Sequence, residues 1–410
     1  MSNVLKNTLC YSMFIVATAS HAAEFEVHPS IAVSEEYNDN VFATQSNRIT
    51  EYTTRTLPGL TLSYKAPVLT GDLFYVFDYR HYARNNHPDE TTHSLTTKWH
   101  LTAVDNLLFL DINDNYQRVS LDITRDVTRE SLFVDQVDRN VVSVSPYFIL
   151  HPTKRIMLTP GYRYIDTRYF STSAVEKTDH IAYLDTTYEL MNKWKITAGY
   201  TFIRELAVVD NFSQHQALGG LRYEYADKSF IFAQGGNTWI EYDSGQRLNS
   251  KLWNAGLTHV FDTTTVTVTT GVKYDEDPLR NITRENFVNG NIEQGFKRGS
   301  VGFSLGYSEY VLTTIDPVKT KKYGATARGQ YEFTVDVSGN LAFTAEKYEL
   351  PLQVQGSSIK HLQIDSGLSY LLAEKLTASL TYIYAQYTSP GITSNNYHVN
   401  RGMIEIRKTF

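Results

Sequence analysis

Gly402-Met403-Ile404-Glu405-Ile406-Arg407-Lys408-Thr409-Phe410 is the stretch whose reading decides the fold. Successive side chains of an extended strand point to opposite faces. Ile404, Ile406 and Phe410 therefore share one face, and Met403, Glu405, Arg407 and Thr409 share the other. An apolar face backed by a charged one, ending on an aromatic ring, can be tested against the rest of the chain.

The same alternation recurs throughout. Phe25, Val27, Pro29, Ile31 and Val33 alternate with Glu26, His28, Ser30, Ala32 and Ser34. Leu95, Thr97, Trp99 and Leu101 alternate with Thr96, Lys98 and His100, and Trp194, Ile196, Ala198, Tyr200 and Phe202 with Lys195, Thr197, Gly199 and Thr201. Val301, Phe303, Leu305 and Tyr307 alternate with Ser300, Gly302, Ser304 and Gly306. A period of 2 sends one set to each side of a sheet. These strands form a repeating unit of strand, polar loop, strand and tight turn, with starts near Glu24, Gly71, Leu107, Arg155, Lys193, Lys228, Thr264, Ser300, Asn340 and Lys375. That predicts about ten hairpins and about twenty strands, an even number. Loss of the segment at Ala233–Asn237 or at Asn289–Phe296 would reduce it to about eighteen.

Each strand is expected to run about ten residues, enough for a tilted strand to cross the hydrocarbon of a bilayer. An open sheet edge in lipid would strand its backbone polar groups, so the sheet must close. The predicted fold class is all-β: a transmembrane, antiparallel, up-and-down β-barrel. Short connections include 104–106, 151–154, 191–192, 226–228, 262–263 and 297–299. Long ones are Asn38–Glu51, Gln117–Arg139, Asp166–Thr178, Asp275–Asn286 and Tyr387–Asn396. With the first strand rising from the periplasm, every short turn falls on the periplasmic side and every long loop outside. The longest loop, Gln117–Arg139, could fold inward as a constriction, but its first reading is a solvated surface loop.

Lys6, the apolar run Leu9–Ala19 and Ser20-His21-Ala22 read as a secretory signal peptide over 1–22, which leaves 23–410 as a single barrel domain. The one cysteine, Cys10, falls inside that leader, so no disulfide or thiolate metal site is expected beyond it. The chain is mildly hydrophilic on average, which speaks against spanning helices. Tyr numbers 29 against Phe 20 and Trp 4, and tyrosine suits both a membrane interface and a wet lumen. Formal charge is −6, or −7 once Lys6 leaves, with no Lys/Arg-rich block, so nucleic acid is not an expected partner.

The outward set carries aromatic rings toward its ends: Tyr64, Tyr75, Trp99, Tyr164, Tyr188, Tyr200, Tyr225, Trp253, Tyr274, Tyr307, Tyr331, Tyr370 and Tyr384. These fit two interfacial girdles. The predicted pore-lining set is Asp78, Arg80, Lys98, His100, Asp111, Asn113, Arg163, Asp185, Glu189, Lys195, Arg222, Glu224, Lys251, Lys273, Glu293, Arg328, Glu332, Glu346, Asp365 and Glu405, with Arg401 and Arg407 of the same kind. An Arg or Lys facing lipid at mid-depth would cost about 2–4 kcal/mol, which drives such groups inward. Acids and bases interleave in this set. A pore for an anionic polymer should show a basic ladder, so a neutral or weakly charged solute is favoured.

Catalytic motifs are missing: there is no phosphate-binding glycine loop, no His-Glu-x-x-His and no Gly-x-Ser-x-Gly. His93 and His100 lie on opposite faces. Asp185 and Glu189 share a face and could form a carboxylate dyad, but wall solvation is the simpler reading. Asp275-Glu276-Asp277 lacks the remaining ligands of a calcium loop. No enzyme activity, cofactor, metal ligand or catalytic residue is assigned.

The closing strand and its final Phe410 are similar to those of bacterial outer-membrane β-barrels. That resemblance implies that Phe410 serves as the assembly signal, with the barrel-assembly machinery as a partner and outer-membrane lipid and lipopolysaccharide as surroundings. The first strand and the residues just beyond it, Ile31-Ala32-Val33-Ser34-Glu35-Glu36-Tyr37-Asn38-Asp39-Asn40-Val41-Phe42, resemble the barrels of exopolysaccharide-export systems, including those associated with PEP-CTERM sorting. This implies a passive conduit for exopolysaccharide in the cell outer membrane of a Gram-negative bacterium, with a periplasmic polysaccharide export protein as a separate partner and with Tyr82, Phe109, Asn113 and Asn115 as the expected sugar contacts. The alternatives are a general or sugar-selective diffusion porin for small solutes and a plugged structural or adhesive barrel.

Overall fold

The computed structural model describes residues 23–121, 131, 132, 135–170, 174–208, 210–276, 282–312, 319–350, 358–389 and 396–410. The leader expected at 1–22 lies outside the described residues, as does Asp277 of the acidic run. The strands are β1 (Glu24–Asn38), β2 (Glu51–Lys65), β3 (Leu69–Tyr82), β4 (Glu90–Val104), β5 (Leu108–Ser120), β6 (Gln136–Phe148), β7 (Leu150–Thr153), β8 (Ile156–Tyr169), β9 (Lys177–Met191), β10 (Trp194–Ala207) and β11 (Phe212–Ala226). They continue with β12 (Ser229–Tyr242), β13 (Arg247–Val260), β14 (Thr264–Glu276), β15 (Ile282–Phe296), β16 (Gly299–Leu312), β17 (Lys319–Glu332), β18 (Val337–Glu349), β19 (Ser358–Ala373), β20 (Leu376–Thr388) and β21 (Tyr397–Thr409). Among the described residues there is no helix.

Neighbouring strands pair antiparallel around the whole sheet, and β1 pairs with β21 from Ser30↔Thr409 to Asn38↔Arg401, which closes it. β6 and β7 both lie against β8 and form one stave, so the barrel has 20 strands and one extra segment. Proline marks two gaps in the ladders, because it has no N–H to give. The β6–β8 ladder skips from Val144↔Tyr164 to Tyr147↔Gly161, with Pro146 in the gap. The β2–β3 ladder skips from Thr56↔Tyr79 to Gly59↔Val76 around Pro58. Both segments considered weak in the sequence are paired strands: β12 holds Ala233–Asn237 and β15 holds Asn289–Phe296. The eighteen-strand alternative therefore falls.

The strands are longer than expected, 13 to 16 residues apart from the four of β7. The excess extends the long-loop ends, so the loops are shorter than the sequence suggested: 121–135 between β5 and β6, 170–176 between β8 and β9, and 277–281 between β14 and β15. On β17, Tyr323 and Tyr331 share the outward face. At about 3.4 Å per residue and a tilt of about 40°, they stand roughly 20 Å apart in height, near the apolar band of such barrels.

The outward face is apolar and exposed. Phe25 is 60%, Leu305 53%, Ile404 60% and Phe410 58% accessible, as expected of a surface whose solvent is lipid. All the rings assigned to the girdles fall on this face by register, among them Tyr64 opposite Phe25 and Tyr307 opposite Tyr323. Trp99, opposite Gly71, lays its ring over that glycine, and a side chain there would strike the indole. The backbone amide of Phe410 donates to the carbonyl of Pro29 at 2.8 Å, one more bond along the closing seam.

Candidate functional site

The inner wall is the candidate site, and the register fixes which side chains reach it. Fully buried Ser34, Glu36 and Asn38 on β1 mark the inner parity. Carried from strand to strand through the pairings, this parity turns inward every residue of the predicted pore-lining set except one. The exception is Lys251. It pairs with Asn237 and lies two residues from Trp253, which pairs with Gly235 on the outward face. Lys251 therefore points out near the long-loop end of β13, where its ammonium can reach the headgroup layer.

Across the lower inner wall of β4 to β9 runs a row of rings. His100 stacks on Phe109 at 5.6 Å with 24° between planes, and Phe109 stacks on Tyr147 at 5.3 Å and 20°. Tyr147 pairs with Gly161, and Gly161 pairs with Tyr183, whose ring covers the glycine. The Arg163 guanidinium sits over the Tyr183 ring at 5.6 Å. Hydrogen-bonding groups border the row: Asn113 donates to Ser143 at 3.3 Å, Asn115 to Thr96 at 3.2 Å, and Asp111 meets His100 Nδ1 at 2.7 Å. Of the expected sugar contacts, Phe109, Asn113 and Asn115 fall in or beside this row. Tyr82 does not: it is fully buried and donates its hydroxyl to Glu90 at 2.8 Å, so no solute can stack on it.

Many charges on the inner wall are paired with one another, although Lys98, Asp185, Glu189 and Glu332 meet no opposite charge at ion-pair distance among the described residues. The longest network crosses the closing seam near the long-loop ends. Arg401 on β21 makes a two-pronged contact with Glu36 on β1 at 2.7 and 2.8 Å. Arg55 on β2 lies 3.8 Å from Glu36 and grips Asp78 on β3 at 2.6 and 3.1 Å. Arg80 bridges Asp78 at 2.8 Å and Glu90 on β4 at 2.9 Å. Beyond the last β4–β5 pair, Arg118 on β5, which has the register parity of Asp114 and Tyr116 rather than that of the inner wall, joins Glu90 at 3.2 Å to Asp138 on β6 at 2.8 Å. Glu36 is 1% and Asp78 7% accessible at the side chain, so each charge depends on its partners rather than on water. Other pairs from the predicted set also meet: Lys195 and Arg222 with Glu224, each at 3.2 Å, and Arg328 with Glu293 at 3.3 Å. Lys273 meets Glu285 at 2.9 Å, and Glu346 takes Lys322 at 2.8 Å and His361 at 3.0 Å.

The seam network also holds a loop. Arg80 and Arg118 both donate to the carbonyl of Leu132, at 3.3 and 2.9 Å, and the Ser131 hydroxyl donates to the carbonyl of Val41 at 3.0 Å. Ser131 and Leu132 are 1% and 5% accessible. These two residues are therefore packed against the wall rather than solvated. Residues 122–130, 133 and 134 of the same loop lie outside the described residues.

The carboxylate dyad does not form. Asp185 pairs with Gly199 and Glu189 with Lys195, four residues apart on one strand, or about 13 Å at roughly 3.3 Å per residue. That is beyond the spacing of a glycosidase pair of either type. His93 and His100 do face opposite sides, His93 opposite Phe77 and His100 opposite Asp111. Among the described residues no group of three His, Cys, Asp or Glu could hold a metal ion. Asp114 on β5 has outward parity, pairing with Thr97 and Val142 on the lipid side.

Outside the membrane, Asp243 accepts two hydrogen bonds from Arg204, both at 2.8 Å, and one from Asn211 at 3.1 Å. These bonds, with the guanidinium charge, pull its carboxyl down to about 2. Asp89 is also held below its ordinary value, chiefly by the hydrogen bond to His81 and by the Tyr82 backbone amide. Both contacts fasten external loops to strand ends.

No family model matches the sequence, and no curated protein does. Solved structures do match in fold. The FrpB iron transporter from Neisseria meningitidis (F3-3 variant) gives a TM-score of 0.57 at 7% identity, over 93% of this chain and 81% of that one. A mutant of the ferric enterobactin receptor PfeA from Pseudomonas aeruginosa gives 0.56 at 9% identity, over 95% and 81%. The siderophore receptor PirA from Pseudomonas aeruginosa gives 0.53 at 10% identity, over 94% and 80%. At such identities the likeness concerns the fold alone. Together with the closed seam and the apolar exterior, it makes this chain a closed antiparallel β-barrel of the outer membrane.

Proposed function

We propose that the barrel is a passive conduit for neutral or weakly charged saccharide, and that its cargo is exopolysaccharide, as the first-strand resemblance implies. The observation that carries this reading is the ring row His100–Phe109–Tyr147–Tyr183, bordered by Asn113, Asn115, Ser143 and Asp111. Flat rings accept the apolar face of a sugar, and flanking amides, hydroxyls and carboxylates exchange hydrogen bonds with its rim, a common division of labour in ligand sites. The paired charges support the same reading. A wall whose acids and bases neutralise one another exerts little field on an ion and offers no ladder to a polyanion.

Two measurements test the proposal. Deletion of the gene should lower secreted polysaccharide, and unchanged secretion would remove the polymer from the account. Replacement of Phe109, Tyr147 and Tyr183 together by alanine should slow entry of neutral oligosaccharides into proteoliposomes several-fold while leaving small-ion conductance nearly unchanged. The smaller-solute reading, a sugar porin, rests on the same ring row. It predicts oligosaccharide entry with no loss of secreted polymer in the deletion strain.

A further inference from the structure

The outward face of β14 to β20 carries a concavity of about 880 Å³. Its floor follows one row of paired residues, Val268–Gly290–Leu305–Ala325–Ala345–Leu362. Its upper rim is the next row toward the long loops: Tyr307 opposite Tyr323, Tyr323 opposite Lys347, and Lys347 opposite Lys360. The rings of Tyr307 and Tyr323 lie 5.2 Å apart at the girdle. A side chain added at Gly290 would meet nothing within 4 Å, so the floor is open.

The rim is chemically unusual. Like charges directly opposite on neighbouring strands repel, yet Lys347 and Lys360 are so placed. Lys347 reaches Glu349 at 2.7 Å. Among the described residues no acid lies in ion-pair contact with Lys360. Lys319 and Lys321 stand on the same face of β17, opposite Val311 and Glu309. Among the described residues the rim thus presents four lysines with only Glu309 and Glu349 among them, directly above an apolar trough. An anion between Lys347 and Lys360 would relieve their repulsion, and a hydrocarbon chain would fill the trough below.

We infer that this face binds a phosphorylated, multiply acylated glycolipid of the outer leaflet, one phosphate resting between Lys347 and Lys360 and one acyl chain lying along Ala325 and Ala345. The phosphate accounts for the paired cations, and the acyl chain for a concavity that opens into lipid rather than into the lumen. The site is independent of what passes through the barrel.

The test uses the whole purified barrel, freed of co-purified lipid in detergent, with retention followed by native mass spectrometry. The probes are bisphosphorylated lipid A, its dephosphorylated form, phosphatidylglycerol and inorganic phosphate. Lipid A is expected to stay bound, with K347A/K360A lowering its retention about tenfold or more, since each such lysine contributes on the order of 1 kcal/mol toward an anionic lipid headgroup. K347R/K360R should keep most of the binding. A325F, which fills the trough and leaves the charges in place, should lower it. A heat-dependent shift on a denaturing gel checks that each variant is folded. Equal retention of lipid A by K347A/K360A, or equal retention of phosphatidylglycerol or dephosphorylated lipid A by the wild type, would overturn the site. So would binding of inorganic phosphate alone with the same affinity.

Discussion

Arg401 shows what a charge inside this wall requires. Its partner Glu36 is 1% accessible, so removal of the guanidinium leaves a buried carboxylate with only the longer contact to Arg55 at 3.8 Å. Arg401→Met should lower unfolding stability by about 3–5 kcal/mol, whereas Glu36→Gln with Arg401→Met should recover most of the loss. Urea titration of the folded barrel in detergent would check both. At this scale the sequence was legible wherever parity was respected. Phe109, Asn113 and the Asp78–Arg80 pair all face where alternation puts them. Lys251 was misassigned although the sequence held the correction, because a residue two away from the outward Trp253 must share its face. Glu36, Arg55, Glu90, Arg118 and Asp138 were missed for another reason. They sit where strands run on past the expected membrane edge, and a carboxylate's partner 365 residues away cannot be read from local pattern.

The elements that close the barrel are β1 and β21. Their ladder is the one pairing that joins the two ends of the chain, and the Phe410 amide extends it to Pro29. Deletion of Phe410 removes that bond and an outward ring that is 58% exposed, so it should lower the amount of folded protein in the outer membrane more than the conductance of each inserted barrel. Quantitative membrane fractionation beside single-channel recording would separate the two effects, and normal abundance would deny Phe410 its role as the assembly signal. The external loops make a pH prediction. The folded-state pKa of Asp243, about 2, lies below the ordinary carboxylate value, so its tie to Arg204 is fully present above that ordinary value and is lost as pH falls through the folded one. A carbon-detected NMR titration should find its midpoint near 2 in the wild type. In Arg204→Ala it should rise toward about 3.9. Element starts were legible to within a few residues because turns and alternation mark them. Strand ends at the long loops were not, since polar strand continuing above the bilayer has the same composition as loop.

For the whole molecule, closure, strand number and the side of each loop were readable because lipid forbids the alternatives: an open edge leaves polar backbone in hydrocarbon, and a one-residue slip turns every charge outward. What sequence pattern alone could not give was how the two sides of the wall are used. Inside, many of the charges pair with one another, and a ring row lies along the lower wall. Outside, a lysine-rimmed trough breaks the even apolar surface. The measurement that bears most directly on the central claim is solute entry into proteoliposomes of the purified barrel, with neutral and anionic oligosaccharides of equal size compared alongside the reversal potential in a salt gradient. The account predicts entry of the neutral sugar at least as fast as the anionic one, and a cation-to-anion permeability ratio near one. Exclusion of the neutral sugar, or strong selectivity for one sign of ion, would contradict it.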